Sequence, residues 1–253
     1  MTNADFPSSR RQFLRLATAS AAGLLAAACR PWTKEPLPVQ APTPTLRSPD
    51  AIESPDALER LLQGNARYVA DRRQNPGQTE ERRVQIAAGQ HPFAAILTCA
   101  DSRVPPEILF DQGLGDLFVV RVAGNVVDDE IIGSLEYAVE HLGVRLIMVL
   151  GHERCGAIRA ALETVLTGAE AEGHLESLVK AIEPALEEAR LTDADVWDSV
   201  ADANVQLTAA ALRHSHPILI EFVEAGELSV VGARYDLDSG WVTLLAEEGA
   251  AHE

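Results

Sequence analysis

The sequence predicts an α/β domain: a mainly parallel central sheet flanked by helices. Three observations carry that prediction. Residues 93–98, 117–122 and 145–150 are continuous apolar runs, the pattern of strands buried on both faces. Segments of helical spacing alternate with them, as parallel strands joined by crossovers require. The 253 residues are 47% hydrophobic and 23% charged, enough apolar material for one generous domain with a sizeable core.

The elements follow in order. Ser54-Pro55 supplies a cap and a first-turn proline to a helix running to about residue 73. A short helix over 80–88 is stopped by Gly89, and the first strand follows at 93–98. Between the strands at 117–122 and 145–150, residues 129–141 show helical spacing, with Ile132, Leu135, Ala138, Val139 and Leu142 on one side. Helices are expected at 156–167, 174–190, 200–215 and 217–225. Residues 227–245 read as one or two strands around an Asp238-Ser239-Gly240 turn. There is no internal repeat and no second boundary, so residues 51–253 form one domain.

The preceding residues have a different character. Residues 9–15 read Ser-Arg-Arg-Gln-Phe-Leu-Arg and lead into an alanine-rich apolar stretch, 16–28. A charged start, a short apolar run and small residues at its end describe an export signal over 1–29. The run falls short of the ~20 apolar residues that a permanent spanning helix needs. The paired Arg10-Arg11 with Phe13-Leu14 resembles the twin-arginine signal, which implies an exported protein of the periplasm or cell envelope. Leu25-Ala26-Ala27-Ala28-Cys29 is similar to a lipoprotein cleavage site, with Cys29 accepting the lipid that would tether the protein to a membrane. Ala26 stands where that pattern favours leucine. Six prolines within 30–50 make that stretch an extended linker.

Charge excludes one class of partner. Residues 1–50 carry six basic and three acidic side chains; with a chain total of −17, the remaining 203 residues carry −20. A body that acidic repels phosphate backbones, so no nucleic-acid partner is expected. Three cysteines are too few for a disulfide scaffold.

Sites in parallel α/β sheets form at the carboxyl ends of the strands. After the first strand comes Cys99-Ala100-Asp101-Ser102-Arg103; after the third comes Gly151-His152-Glu153-Arg154-Cys155-Gly156, opening a helix. Two thiols and an imidazole are a ligand set that zinc favours, with a fourth position left open. In an oxidising compartment the same two cysteines also suit a disulfide. Asp101 and Arg103, two residues apart, suit a bidentate pair beside Cys99 that orients something.

These residues together carry a resemblance. Cys99 to Glu107, Gly115 to Asn125, Glu136-Tyr137-Ala138, Gly151-His152-x-x-Cys155-Gly156 and Gly232-Ala-Arg-Tyr-Asp236 resemble the β-class carbonic anhydrases over roughly 55–245. The resemblance implies one zinc per subunit on Cys99, His152 and Cys155, and reversible hydration of carbon dioxide to bicarbonate by attack of a zinc-bound hydroxide. It gives Asp101 two alternatives: fourth zinc ligand, or partner of Arg103 with water in the fourth position. It makes Gln90, Phe118 and Tyr137 substrate-binding residues, some reached across the interface of a homodimer or homotetramer. Ile96 stands where some members carry a tryptophan of a second bicarbonate pocket, so the open form is expected, with Asp101 on Arg103. Ile96 itself reads equally as pocket or as core. Because two thiolates cancel the metal's charge, activity is expected to climb through mildly alkaline pH. His91 is a candidate proton shuttle beside the external buffer. A related sulfur substrate, such as carbonyl sulfide, and a domain with a purely structural zinc or a disulfide are the rival readings.

Overall fold

The computed structural model describes residues 53–189 and 196–246. The export signal, Cys29 and the proline-rich linker lie outside these residues. Five strands form one sheet: β1 (Ala94–Thr98), β2 (Leu117–Arg121), β3 (Leu146–His152), β4 (Ser229–Tyr235) and β5 (Val242–Leu244). Their order is β2-β1-β3-β4-β5. The first four run parallel, and β5 returns antiparallel to β4. Thr98 fixes the centre of the sheet from inside, its hydroxyl donating to the Leu150 carbonyl at 2.8 Å.

Helices α1 (Ser54–Val69), α2 (Glu80–Ile86), α3 (Pro106–Leu109), α4 (Asp129–Leu142), α5 (Gly156–Thr167), α6 (Leu175–Glu188), α7 (Val196–Arg213) and α8 (Ile218–Glu224) complete the fold. Side chains alternate across the strands and sort the core onto two faces. Ile96, Met148 and Leu150 pack with Leu61 of α1 and with Leu109 and Phe110 at α3. Ala95, Leu97 and Val149 pack with Leu135 and Val139 of α4 and Val205 of α7. Truncating a fully buried leucine such as Leu61 to alanine would cost about 2–5 kcal/mol, the lost transfer energy plus the cavity. Ile96 is fully buried in this part of the core.

α7 lies very close to the sheet, and two glycines allow it. A Cβ added at Gly151 would come within 2.5 Å of Val205 Cγ2, and one at Gly232 within 2.9 Å of Val205 Cγ1. α4 begins on the Asp128 side chain, which accepts from the Ile131 amide at 2.8 Å, and ends on Gly143 at φ 75°.

The differences from the sequence expectation are local. β3 runs two residues past 150, because Gly151 and His152 keep their pairing with Arg234 and Tyr235 of β4. The described part of α7 already includes Val196, four residues before the expected 200. α3 and a 3₁₀ turn at Ala123–Asn125 were not anticipated: both are too short to show a period. Among the described residues no helix is long and apolar enough to cross a membrane.

Candidate metal centre

β1 and β3 are neighbours, so the residues at their carboxyl ends meet. Cys99 follows β1, His152 closes β3, and Cys155 precedes the first turn of α5. One ligand atom from each of the three lies within 4.8 Å of the other two. The cysteines are both free, with their sulfurs 3.9 Å apart. All three residues are buried, among Val126, Ile158, Ile182 and Val200.

The imidazole is oriented from behind. Nδ1 of His152 lies 2.7 Å from the Glu153 carbonyl oxygen, to which a proton on Nδ1 would donate. Nε2 is then the free lone pair. It is buried and has no hydrogen-bond partner. A buried, unpartnered ring nitrogen costs free energy unless something binds it. Two sulfurs lie beside it, and soft thiolates with one imidazole nitrogen are the donors zinc takes. The residues present fit that ion.

Backbone amides face the Cys99 sulfur: those of Asp101 and Gly124 each donate to it at 3.4 Å. The Cys155 thiol, these amides and the His152 ring hold Cys99 far below the usual thiol range, at about 4. Cys155 is pushed up, by its hydrogen bond to Cys99 and by burial. Only one of two sulfurs this close ionises readily without a cation.

Asp101 and Arg103 stand at the mouth. Arg103 donates from Nε to Oδ1 at 2.9 Å and from a terminal nitrogen to Oδ2 at 2.8 Å, and its backbone amide adds a third bond to Oδ1 at 2.9 Å. This fork holds the Asp101 carboxyl at about 2. Oδ2 lies 3.9 Å from Nε2 of His152, so the carboxylate faces the same space as the ligand atoms.

Arg121 ends β2, and its guanidinium donates to the carbonyls of Cys99 at 3.0 Å and Asp101 at 2.5 Å. It clamps the loop that carries both residues. Sequence reasoning noted Arg121 in a motif but not this task, which a lone arginine at a strand end does not reveal. Gly124 is held in turn, its carbonyl accepting from Asn204 Nδ2 of α7 at 2.7 Å.

The three residues read as substrate-binding are not at this centre. Gln90 is exposed and precedes the amino end of β1, whereas Cys99 follows its carboxyl end. The five-residue strand between them is about 15 Å long. Phe118 pairs with Ala95, well back along the sheet, and packs with the α4 face. Tyr137 of α4 is 47% exposed, with its ring centroid 6.4 Å from that of Phe118. Phe118 belongs to β2, an edge strand of the sheet among the described residues, and Tyr137 lies against it. His91 is exposed next to Gln90.

Known proteins are similar to this chain in sequence and fold. A family model described as carbonic anhydrase matches residues 94–242. A "Carbonic anhydrase 2" of Mycobacterium tuberculosis is 44% identical over 184 residues, covering 73% of this chain and 89% of that protein. Among solved structures, a Coccomyxa β-carbonic anhydrase in complex with acetazolamide is similar at a TM-score of 0.59 and 29% identity, covering 74% of this chain and 86% of that one. One of two tetrameric β-carbonic anhydrases from Sordaria macrospora gives 0.59 and 25% identity, covering 76% and 98%.

Proposed function

The chain belongs to the β-class carbonic anhydrases, enzymes that interconvert carbon dioxide and bicarbonate, and we propose that it does so with one zinc ion per subunit held by Cys99, His152 and Cys155. The observation that carries this reading is the buried, unpartnered Nε2 of His152 grouped with two free thiols. Zinc held there supplies the Lewis acidity that makes water a nucleophile near neutral pH.

The chain's own residues supply the rest. Asp101, kept ionised and aimed by Arg103, accepts a hydrogen from the attacking water and turns its lone pair toward the substrate carbon. Because Arg103 occupies both carboxylate oxygens, Asp101 is held back from ligating, which would leave a bound ion accessible to water. Arg121 prevents the Cys99–Asp101 loop from shifting.

The pocket is completed by a second subunit. Gln90 lies too far back to serve its own centre, and the exposed Tyr137 with Phe118 offers an apolar surface beside an uncovered strand. In a homodimer these residues serve the partner's centre: the Gln90 amide donates to a substrate oxygen as charge develops, and the two rings line a site for a small nonpolar gas. A relative of this fold is described as tetrameric, in line with such assembly. Export by a twin-arginine route, supported by residues 9–28, would let the chain fold and load metal in a reducing compartment first. A lipid on Cys29 would then hold the domain at the envelope.

Stopped-flow carbon dioxide hydration by the chain purified from cytoplasm, across pH 6.5–9, tests the function. The expected result is a rate far above background, climbing with pH and lost with the zinc. A rate at background with zinc bound would overturn it.

A further inference from the structure

α7 buries Val200, Ala201, Val205, Thr208 and Ala209 along one stripe, and Asn204 lies in the middle of it, 3% exposed. A leucine would fill that position at no polar cost; a buried amide needs a partner to be tolerated. Its partner is the Gly124 carbonyl, 2.7 Å from Nδ2. Gly124 is confined on its other sides. It sits at φ 76°, and a Cβ there would come within 2.9 Å of Ile182 Cδ1 and 3.3 Å of Ala157 Cβ. Its amide points at the Cys99 sulfur, 3.4 Å away. A chain of contacts thus runs from α7, 80 residues downstream, through the two peptides that meet at Gly124 to the sulfur.

We infer that Asn204 is a positioning residue for the metal centre: by fixing Gly124 it keeps a backbone N–H on the Cys99 sulfur, and so sets how tightly the metal is retained. The inference rests on the reading that Cys99, His152 and Cys155 hold zinc. The physical reason is charge. Two thiolates 3.9 Å apart repel each other, and an N–H dipole aimed at one of them offsets part of that repulsion. Without the Asn204 bond the Gly124–Asn125 peptide keeps only its other anchor, the Asn125 amide donating to the Val122 carbonyl at 3.0 Å, so Gly124 is held less firmly and the N–H of the preceding peptide is less well aimed at the sulfur.

The test compares Asn204→Leu and Asn204→Asp with Asn65→Ala. Asn65 is also a buried asparagine, but it bonds Leu109, Gly240 and Val242, away from the centre, so it controls for general loss of stability. Zinc release to a chromophoric chelator and the sulfur-to-cobalt charge-transfer band of the cobalt-substituted protein are measured. Both Asn204 variants should release zinc about 10–100-fold faster and shift the band. Asn65→Ala should melt earlier with both readouts unchanged. Either folded Asn204 variant with native release and a native band would overturn the inference; Asn204→Asp, nearly isosteric, keeps the test open if the leucine variant does not fold. A wild-type chain taking up neither zinc nor cobalt would overturn the metal reading beneath it.

Discussion

Arg103 grips Asp101 by both carboxylate oxygens while one of them, Oδ2, stays 3.9 Å from the His152 nitrogen. An ion pair this exposed adds about 0–1 kcal/mol to stability, so its consequence is orientation. On the proposed reading, the fork would decide whether Asp101 faces the attacking water or moves onto the metal.

Arg103→Leu should therefore free the carboxylate to bind zinc. Activity at pH 8 should fall about 100-fold, because the water is displaced and nothing aims the remaining group. Zinc content should stay at one per subunit, and a crystal structure of the variant should show Asp101 on the metal. Near-native turnover would mean that the fork is ornamental.

If Gln90 serves the neighbouring subunit, two crippled chains can repair each other. Gln90→Ala keeps a metal centre but lacks the amide, and should lose about 10²-fold. Cys155→Ser loses zinc, and nearly all activity, but still carries Gln90. Differently tagged chains, co-expressed and purified as the mixed dimer, should regain about half the wild-type rate. A mixed dimer no faster than its parents would place Gln90 in its own subunit's chemistry.

Asp202 gives a pH-dependent stability. It pairs with Arg234 at 2.9 Å, yet burial, with Asp198 and Glu153 nearby, raises its carboxyl to about 6. The ionised form is thus disfavoured in the folded state relative to the unfolded chain. The cost is absent below the unfolded value near 3.8, grows as pH rises, and is complete above about 6. Asp202→Asn should therefore melt higher than wild type at pH 8. Discounted for partial exposure, the gain is on the order of 1 kcal/mol, or about 2–4 °C. The difference should shrink toward pH 4; a constant offset in calorimetry would point to packing instead.

The approach of α7 to the sheet can be tested by a double-mutant cycle. Gly151→Ala puts a methyl group 2.5 Å from Val205 Cγ2 and should cost about 1–3 kcal/mol in urea unfolding. Val205→Ala opens a void and also destabilises. Together they should cost less than their sum by at least 0.5 kcal/mol, roughly the threshold for coupled neighbours. Strict additivity would contradict the contact.

Much of this was legible in the chain. β1 and β3 read clearly because buried parallel strands are apolar at every position, and the cysteines and histidine stood at their ends, where such sheets place their sites. What local patterns do not encode was not legible. The strand read at 93–98 already carries Gln90 away from Cys99, but a nine-residue spacing says nothing of what each end of that strand faces. α3 is four residues long and begins on Pro106, so it offers no period to detect. Nothing local marks Asn204, because its partner is 80 positions away.

The separation of Cys99 and Cys155 has a mechanical consequence as well. A metal that joins them closes a ring of chain 56 positions around. Inside that ring lie β2 and α4, and with them Phe118 and Tyr137. Closing a long loop removes freedom mainly from the unfolded chain, and a bound ion acts here as a clasp would. An ion held there would thus also staple the segment proposed to meet a second subunit, and stripping it should loosen the pair before it unfolds the domain.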